Sequence, residues 1–191
     1  MDPLPLVTAA LSTGTVALAE IGDKTQLLAL LLAARFRKPW PIIAGILVAT
    51  LLNHALAAWL GALVAQWLQP QVLRWIVAAS FFAVALWTLK PDQIDDGESL
   101  PARGAFIATT IAFFVAEIGD KTQIATVLLA AKYHPLWEVV VGTTLGMLLA
   151  NVPVVLLGSR FADRLPLKTA RYVAAAVFLA LALWAAWYGL G

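Results

Sequence analysis

The sequence predicts an all-α membrane protein with six transmembrane helices, arranged as two inverted three-helix repeats. Three observations lead to this prediction. Of the 191 residues, 62% are hydrophobic and only 13% are charged, and the mean hydropathy is +0.86, whereas soluble domains are about 45–50% apolar and about 25% charged. Six long apolar stretches follow one another along the chain. A seven-residue motif with three charged residues occurs twice.

The composition also excludes several classes of protein. So apolar a chain is not an ordinary soluble enzyme, a disordered protein or a nucleic-acid-binding protein. The net charge of +2 comes from few charged residues and says little about partners. The chain has no cysteine, which excludes a disulfide framework, an iron–sulfur cluster and a thiolate zinc site. We therefore expect a lipid bilayer as the surroundings, no cofactor and no nucleic-acid partner.

The six apolar stretches are long enough to cross a membrane, for which about 20 mostly apolar residues are needed. The first and fourth are unusually long: about 28 residues at about 1.5 Å each extend about 42 Å, whereas the hydrocarbon core is about 30 Å thick. These two helices must tilt, extend past the membrane surface or be interrupted. The predicted spans are 6–34, 40–66, 72–89, 104–131, 136–158 and 172–190.

The distribution of Lys and Arg predicts the orientation. Nine basic residues fall on one side and only Arg74 and Lys132 on the other, and the positive-inside rule places the larger group in the cytoplasm. We therefore expect a multi-pass protein of a bacterial inner membrane with both termini outside. Tryptophans near the span ends are typical of interfacial anchors. The nine basic residues are Arg35, Arg37, Lys38, Lys90, Arg103, Arg160, Arg164, Lys168 and Arg171, and the tryptophans are Trp40, Trp67, Trp75, Trp137 and Trp187.

The repeated motif shows that the chain is an internal duplication. The residues from Glu20 to Gln26 recur unchanged from Glu117 to Gln123, 97 residues later, and the same offset matches both halves without a gap. We therefore divide the chain into a first three-helix repeat (1–89), an acidic cytoplasmic linker (90–103) and a second three-helix repeat (104–191). Because three is odd, the second repeat enters the membrane from the opposite face. Such inverted repeats are typical of secondary transporters, whose substrate site lies near the midplane between the repeats.

The motif places charged groups near the centre of the bilayer. On one continuous helix, Glu20, Asp23 and Lys24 would share a face about 100° wide. A charge at this depth costs at least about 2.5–3.5 kcal/mol, so these groups must face the protein interior. Ion pairs between Glu20 and Lys24, four residues apart, would not by themselves explain the aspartates. Four carboxylates and two lysines leave a charge of −2, which suits one divalent cation or two exchangeable protons; they are Glu20, Asp23, Glu117, Asp120, Lys24 and Lys121.

Further polar residues complete a candidate metal site. The hydroxyl and amide oxygens that follow the acids make a hard ligand set, which favours Ca²⁺, Mn²⁺ or Mg²⁺. These ligands are Thr25, Thr122, Gln26 and Gln123. Gly22 and Gly119 permit either close helix packing or a loosened helix whose carbonyls face a cation.

Three polar residues lie in the middle of the second and fifth spans: Asn53, His54 and Asn151. At the offset of 97, His54 aligns with Asn151. Either interhelical hydrogen bonds or a role as secondary ligand or proton relay would explain them. With no cysteine and only two histidines, a dedicated Zn²⁺ or Cu⁺ site is not expected.

At this motif the sequence resembles the calcium/manganese–proton antiporter family of Golgi and thylakoid transporters and bacterial manganese exporters. Two intact Glu-Ile-Gly-Asp-Lys-Thr motifs, in two halves joined by an acidic segment, carry the resemblance over essentially the whole chain. It implies a transporter that exports Mn²⁺ or Ca²⁺ from the cytoplasm in exchange for protons. It also implies that the motif acids bind the metal, with the lysines and threonines completing the motifs.

Three alternatives stay open at this point. An exporter of a cationic organic solute such as lysine would also need buried carboxylates. An intramembrane enzyme such as a lipid phosphatase would want Arg, His or Ser clustered with the acids, and neither motif contains these. A channel is the third alternative. The sequence does not indicate the oligomeric state.

Overall fold

The computed structural model describes residues 5–90, 104–158 and 167–188, which form eight α-helices and no strand. The first half contains four of them and the second half the other four. In chain order they are α1 (Pro5–Glu20), α2 (Lys24–Phe36), α3 (Pro39–Trp67), α4 (Pro70–Thr88), α5 (Ala105–Glu117), α6 (Lys121–Lys132), α7 (Leu136–Leu157) and α8 (Leu167–Tyr188).

Four of the predicted spans correspond to single helices. Spans 40–66, 72–89, 136–158 and 172–190 are α3, α4, α7 and α8, with ends that differ by at most five residues. Helices α3 and α4 begin slightly earlier than predicted because Pro39 and Pro70 fit the first helical turn. By length and composition, α3, α4 and α7 are apolar enough to cross a membrane, and α5 and the Tyr172–Trp187 part of α8 are shorter apolar helices.

The two long predicted spans are each interrupted at the motif. Helix α1 ends at Glu20 and α2 begins at Lys24, and α5 ends at Glu117 and α6 begins at Lys121. Gly22 and Gly119 have φ values of 82° and 74°, which glycine adopts without the steric cost that a Cβ would bring. Of the three possibilities for a span of this length, interruption is the one observed. The expectation of a single helical face carrying Glu20, Asp23 and Lys24 is therefore wrong.

The two halves interlock through their long helices. Helix α7 packs against α1 and α2 of the first half, and α3 packs against α5 and α6 of the second half. Both contacts are close at a glycine: a Cβ on Gly142 would clash with the carbonyl oxygen of Ala9, and one on Gly45 with Thr109. These glycines are 97 residues apart, so the same type of contact is built twice.

Two apolar cores hold the helices together. One joins α4 and α8 to α6 and includes the stacked rings of Phe81 and Phe178, whose centroids are 6.2 Å apart. The other lies among α2, α3, α5 and α7 and contains no residue of α4 or α8 in the part of the chain that the structure describes. The α4–α8 pair therefore belongs to one side of the molecule.

The outer surface suits an apolar surrounding. Many Leu, Ile and Val side chains on α3, α7 and α8 are exposed, and each of the five predicted anchor tryptophans exposes more than half of its area. The acidic segment 91–103, Arg103, Arg160, Arg164, the side chains of Lys168 and Arg171, and both chain ends lie outside the described residues.

Candidate metal-binding site

The two helix breaks face each other and exchange their ion pairs. The Nζ of Lys24 lies 3.5 Å from Oδ1 of Asp120, and the Nζ of Lys121 pairs with Oδ1 of Asp23. Each lysine therefore pairs with the aspartate of the other motif, and not with the glutamate four residues before it. The reason is the interruption of the helix, which removes the geometry in which side chains four residues apart are neighbours.

Glu20 and Glu117 are the two motif acids that make no salt bridge with a lysine in the described residues, although Lys121 attracts Glu20 and Lys24 attracts Glu117 from farther away. Both are fully buried, and each is the last residue of a helix, where the carbonyl end of the helix dipole disfavours a negative charge. Glu20 is also repelled by Glu117, Asp23 and Asp120. One oxygen of each glutamate, Oε2 of Glu20 and Oε1 of Glu117, is buried without a hydrogen bond. A bound cation or proton would offset these unfavourable terms.

The aspartates lie at helix starts, whereas the glutamates lie at helix ends. Asp23 and Asp120 are the N-cap residues of α2 and α6 and have extended backbone, where the amino end of a helix favours a negative charge. Asp120 also accepts a hydrogen bond from the backbone N–H of Thr122, at 3.3 Å. The motif thus places one acid at the end of a helix and one at the start of the next.

The motif threonines orient the acids. The hydroxyl of Thr122 donates to Oε2 of Glu117 at 2.9 Å and lies 3.3 Å from Oδ2 of Asp120. In the first motif the hydroxyl of Thr25 donates to Oδ2 of Asp23 at 3.4 Å. The hydroxyls of Thr25 and Thr122 therefore lie beside the motif carboxylates, and their role as metal ligands stays a prediction.

The motif glutamines stabilise the two helix breaks by hydrogen bonds to the backbone. Oε1 of Gln26 accepts from the N–H of Gly22 at 2.8 Å, and Oε1 of Gln123 accepts from the N–H of Gly119 at 2.7 Å. Nε2 of Gln26 donates to the carbonyl oxygen of Ala150 on α7 at 3.0 Å, and Nε2 of Gln123 donates to Oδ1 of Asn53 on α3 at 2.6 Å. Each glutamine therefore contacts the long helix of the other half. In this conformation the two amide oxygens that were predicted to bind metal are hydrogen-bonded to backbone. Sequence reasoning missed this role, although the Gly-to-Gln spacing of four is a usable signal.

Two of the three polar residues of α3 and α7, Asn53 and Asn151, contact motif residues. Nδ2 of Asn53 donates to the carbonyl of Phe114 at 2.9 Å, and Nδ2 of Asn151 lies 3.3 Å from Oε1 of Glu20. His54 is buried, and neither of its ring nitrogens has a hydrogen-bond partner. Asn53 thus makes an interhelical hydrogen bond, and Asn151 belongs to the site.

The arrangement is a closed electrostatic network of four acids and two lysines. Among residues 5–90, 104–158 and 167–188, no three His, Asp or Glu side chains are grouped so that they could hold a metal ion. The aspartates face lysine ammonium groups. Binding of a dication by all four carboxylates would therefore require the two lysines to move away from the aspartates.

Comparison with known proteins identifies the family. A family model described as divalent cation/proton antiporter GDT1 matches residues 8–96 and 105–191. A Vibrio cholerae protein named "Putative manganese exporter" is 61% identical over 180 residues, covering 94% of this chain and 90% of the relative. A GDT1-like protein of Synechocystis is 27% identical over 90% of this chain and 93% of its own. GDT1-like protein 5 of Arabidopsis thaliana is 30% identical over 78% and 81%, respectively.

No solved structure matches the chain. The family is one of transporters and not of enzymes. The chain belongs to the GDT1 family of divalent cation/proton antiporters.

Proposed function

We propose that this protein exports a divalent cation, Mn²⁺ or Ca²⁺, from the cytoplasm in exchange for protons, through one site shared by both motifs. The observation that carries the proposal is the pair Glu20 and Glu117, which are fully buried, make no salt bridge with a lysine in the described residues, and lie in the two motifs that are joined by the crossed ion pairs. The four acids Glu20, Asp23, Glu117 and Asp120 are the proposed metal ligands. The name of the Vibrio cholerae relative supports manganese as a cargo. The family supports a divalent cation over lysine.

Protons and metal compete for the same carboxylates in this proposal. Because only ionised carboxylates bind a metal ion, metal affinity falls as the pH is lowered. A metal-loaded site and a protonated site each carry little uncompensated charge, so either form permits the change between the two access states. The empty ionised site does not, because its negative charges repel one another. This alternation couples metal export to proton entry.

We propose six spans, in which α1–α2 and α5–α6 each count as one interrupted span. The others are α3, α4, α7 and α8, so each half contributes three and the second half is inverted relative to the first. Breaks that expose helix ends to ions near the midplane are typical of secondary transporters. The two-part match of the family model supports the division into repeats. The excess of Lys and Arg supports a cytoplasmic position for the α2–α3 turn, with both termini outside.

The site is proposed to open at the end of the molecule formed by α2 and α5. Lys24, on α2, has 31% of its side chain exposed, whereas Lys121, on α6, has 2%. Helix α8 packs against α1, and α4 against α6, whereas no comparable contact joins α4 to α5 in the described residues. Closing α4 onto α5 would produce the opposite state. By the orientation above, the open end is cytoplasmic.

Reconstituted transport tests the proposal. Proteoliposomes with a pH dye in the lumen should show Mn²⁺ or Ca²⁺ flux accompanied by a counterflow of protons, and an imposed proton gradient should drive the metal. Glu20→Gln or Glu117→Gln alone should abolish the flux, because half a site holds a dication poorly. Glu138→Gln is the matched control, since Glu138 is equally buried but lies outside the motifs. Flux that ignores the proton gradient would indicate a channel, and half-activity in each single mutant would indicate two independent sites.

A further inference from the structure

His54 is a buried imidazole without a hydrogen bond. It lies in the middle of α3, its exposed fraction is 0%, and neither Nδ1 nor Nε2 has a partner. Buried polar side chains are nearly always hydrogen-bonded, so each exception needs an explanation, such as an ion. An imidazole with a free nitrogen is the commonest metal ligand in proteins.

The residue before His54 contacts the second motif. Its neighbour Asn53 donates to the carbonyl of Phe114 near the end of α5 and accepts from Gln123 near the start of α6. Helix α3 therefore spans the break between α5 and α6 at this level. Gln26 makes the equivalent contact in the first motif, to the carbonyl of Ala150 on α7. Asn53 and Ala150 are 97 residues apart, so the two contacts correspond.

The same correspondence relates His54 to Glu117. The residue after Ala150 is Asn151, and its amide lies 3.3 Å from Oε1 of Glu20. The residue after Asn53 is His54, and the equivalent of Glu20 is Glu117. Oε1 of Glu117 is buried and has no hydrogen-bond partner. In the repeat register His54 therefore corresponds to the residue that contacts Glu20, whereas His54 and Glu117 make no hydrogen bond to each other in this conformation.

We infer that His54 is a nitrogen ligand of the transported cation, beside Glu117, and that it makes the site prefer Mn²⁺ to Ca²⁺. The inference rests on the proposed function, since it adds a ligand to the same site. Ca²⁺ and Mg²⁺ bind oxygen ligands, whereas Mn²⁺, as a transition-metal ion, also binds an imidazole nitrogen beside carboxylates. The two motifs are identical, so the histidine is where the two halves of the site differ in chemistry. One half offers an amide to its glutamate and the other offers an imidazole.

Pulsed electron paramagnetic resonance on Mn²⁺ bound to the full-length protein in nanodiscs tests the ligand directly. The spectrum of bound Mn²⁺ should show modulation from a histidine nitrogen, and this modulation should change when histidine is labelled with ¹⁵N. It should disappear in His54→Asn. His134→Asn, which removes the other histidine, should leave it unchanged. Asparagine is the replacement because Asn151 already occupies the equivalent position. If His54→Asn does not fold, the ¹⁵N-histidine-labelled His134→Asn protein, in which His54 is the one remaining histidine, decides the question.

Transport competition tests the selectivity. His54→Asn should weaken Mn²⁺ transport at least about tenfold, as loss of a metal contact typically does, while Ca²⁺ transport persists and shows that the variant is folded. Bound Mn²⁺ without a histidine nitrogen signal, or an equal loss of both metals with the signal retained, would overturn the role of His54 alone. Failure of wild-type protein to bind Mn²⁺ or Ca²⁺ would instead overturn the proposed function.

Discussion

Lys121 of the second motif pairs with Asp23 of the first, and both side chains are buried. The reciprocal pair of Lys24 and Asp120 is longer, at 3.5 Å, and its lysine is partly exposed while its aspartate is buried. Two motifs of identical sequence thus neutralise each other, and they do so unequally. This difference in burial between the two lysines supports the proposed access to the site from one end of the molecule.

Removing either lysine should have very different effects on stability. Lys121→Met leaves Asp23 as a buried charge without its lysine, which should lower the free energy of unfolding by about 3–5 kcal/mol. Lys24→Met also leaves a buried aspartate, Asp120, without its lysine, but the ammonium that it removes is partly exposed to solvent, so the loss should be smaller. Thermal unfolding in one detergent measures both. The double variant Asp23→Asn/Lys121→Met should recover much of the loss; equal destabilisation by the two single variants would contradict the cross-pairing.

The positive φ of Gly119 predicts a purely conformational cost of substitution. A Cβ at Gly119 would meet no atom within 4 Å, so Gly119→Ala should lose only the left-handed backbone preference, about 1–2 kcal/mol. Gly14 is the matched control, since a Cβ there also meets nothing within 4 Å but the residue lies inside α1. Gly14→Ala should therefore be neutral or stabilising in the same unfolding assay. A continuous helix through Gly119 would reverse the order of the two variants.

The orientation can be tested with single cysteines, because the chain has none of its own. Gln69 lies exposed in the α3–α4 turn and Lys38 lies exposed in the α2–α3 turn. In intact cells an impermeant thiol reagent should label Gln69→Cys and spare Lys38→Cys until the membrane is opened. The opposite pattern would invert the proposed topology, and with it the cytoplasmic assignment of the open end.

An aromatic contact should hold the α6–α8 end closed. The ring of Trp184 stacks on Tyr133, with centroids 6.2 Å apart, and Lys132 Nζ lies 2.9 Å from the Trp184 ring centroid. Burial raises the pKa of Tyr133 to about 12, so its ring stays neutral across the pH range of a transport assay. The residues 97 positions earlier, Phe36 and Trp87, are not stacked on each other in the described structure.

Trp184→Ala should therefore shift the protein towards opening at that end. Loss of the stack and of the cation–π contact, together about 1–2 kcal/mol, corresponds to about a five- to thirtyfold change in population. A cysteine at Thr15, buried in α1, should react correspondingly faster with a thiol reagent. Trp87→Ala is the control and should not accelerate the reaction; acceleration by both variants would mean general loosening and not release of a contact.

Much of the helical architecture could be predicted from the sequence, and the sequence also proposed the residues of the candidate site. Several local properties of the chain were sufficient to place α3, α4, α7 and α8 within five residues. These are the lengths of the apolar stretches, the positions of Pro and Gly between them, and the duplicated motif. The cost of burying charge in a membrane was sufficient to single out Glu20 and Glu117. The number and inversion of the spans stay proposals.

The tertiary structure decided how the motif is used. Whether Gly22 packs closely or breaks its helix depends on contacts that Gln26 makes with α7, which is distant in the sequence. The partner of Lys121 is likewise far along the chain. Local periodicity therefore pointed to Glu20–Lys24 contacts on a continuous helix, which the break removes.

The difference between the two motifs is also a tertiary property. Identical sequences predict identical environments, yet Lys121 is 2% exposed and Lys24 is 31% exposed. The asymmetry arises because the α4–α8 pair packs on one apolar core and is absent from the other within the described residues. The sequence by itself determined that there are two copies of a charged motif. Packing of the α4–α8 pair decided which of the two motif lysines is buried, because one pair of helices cannot cover both ends of the molecule at once.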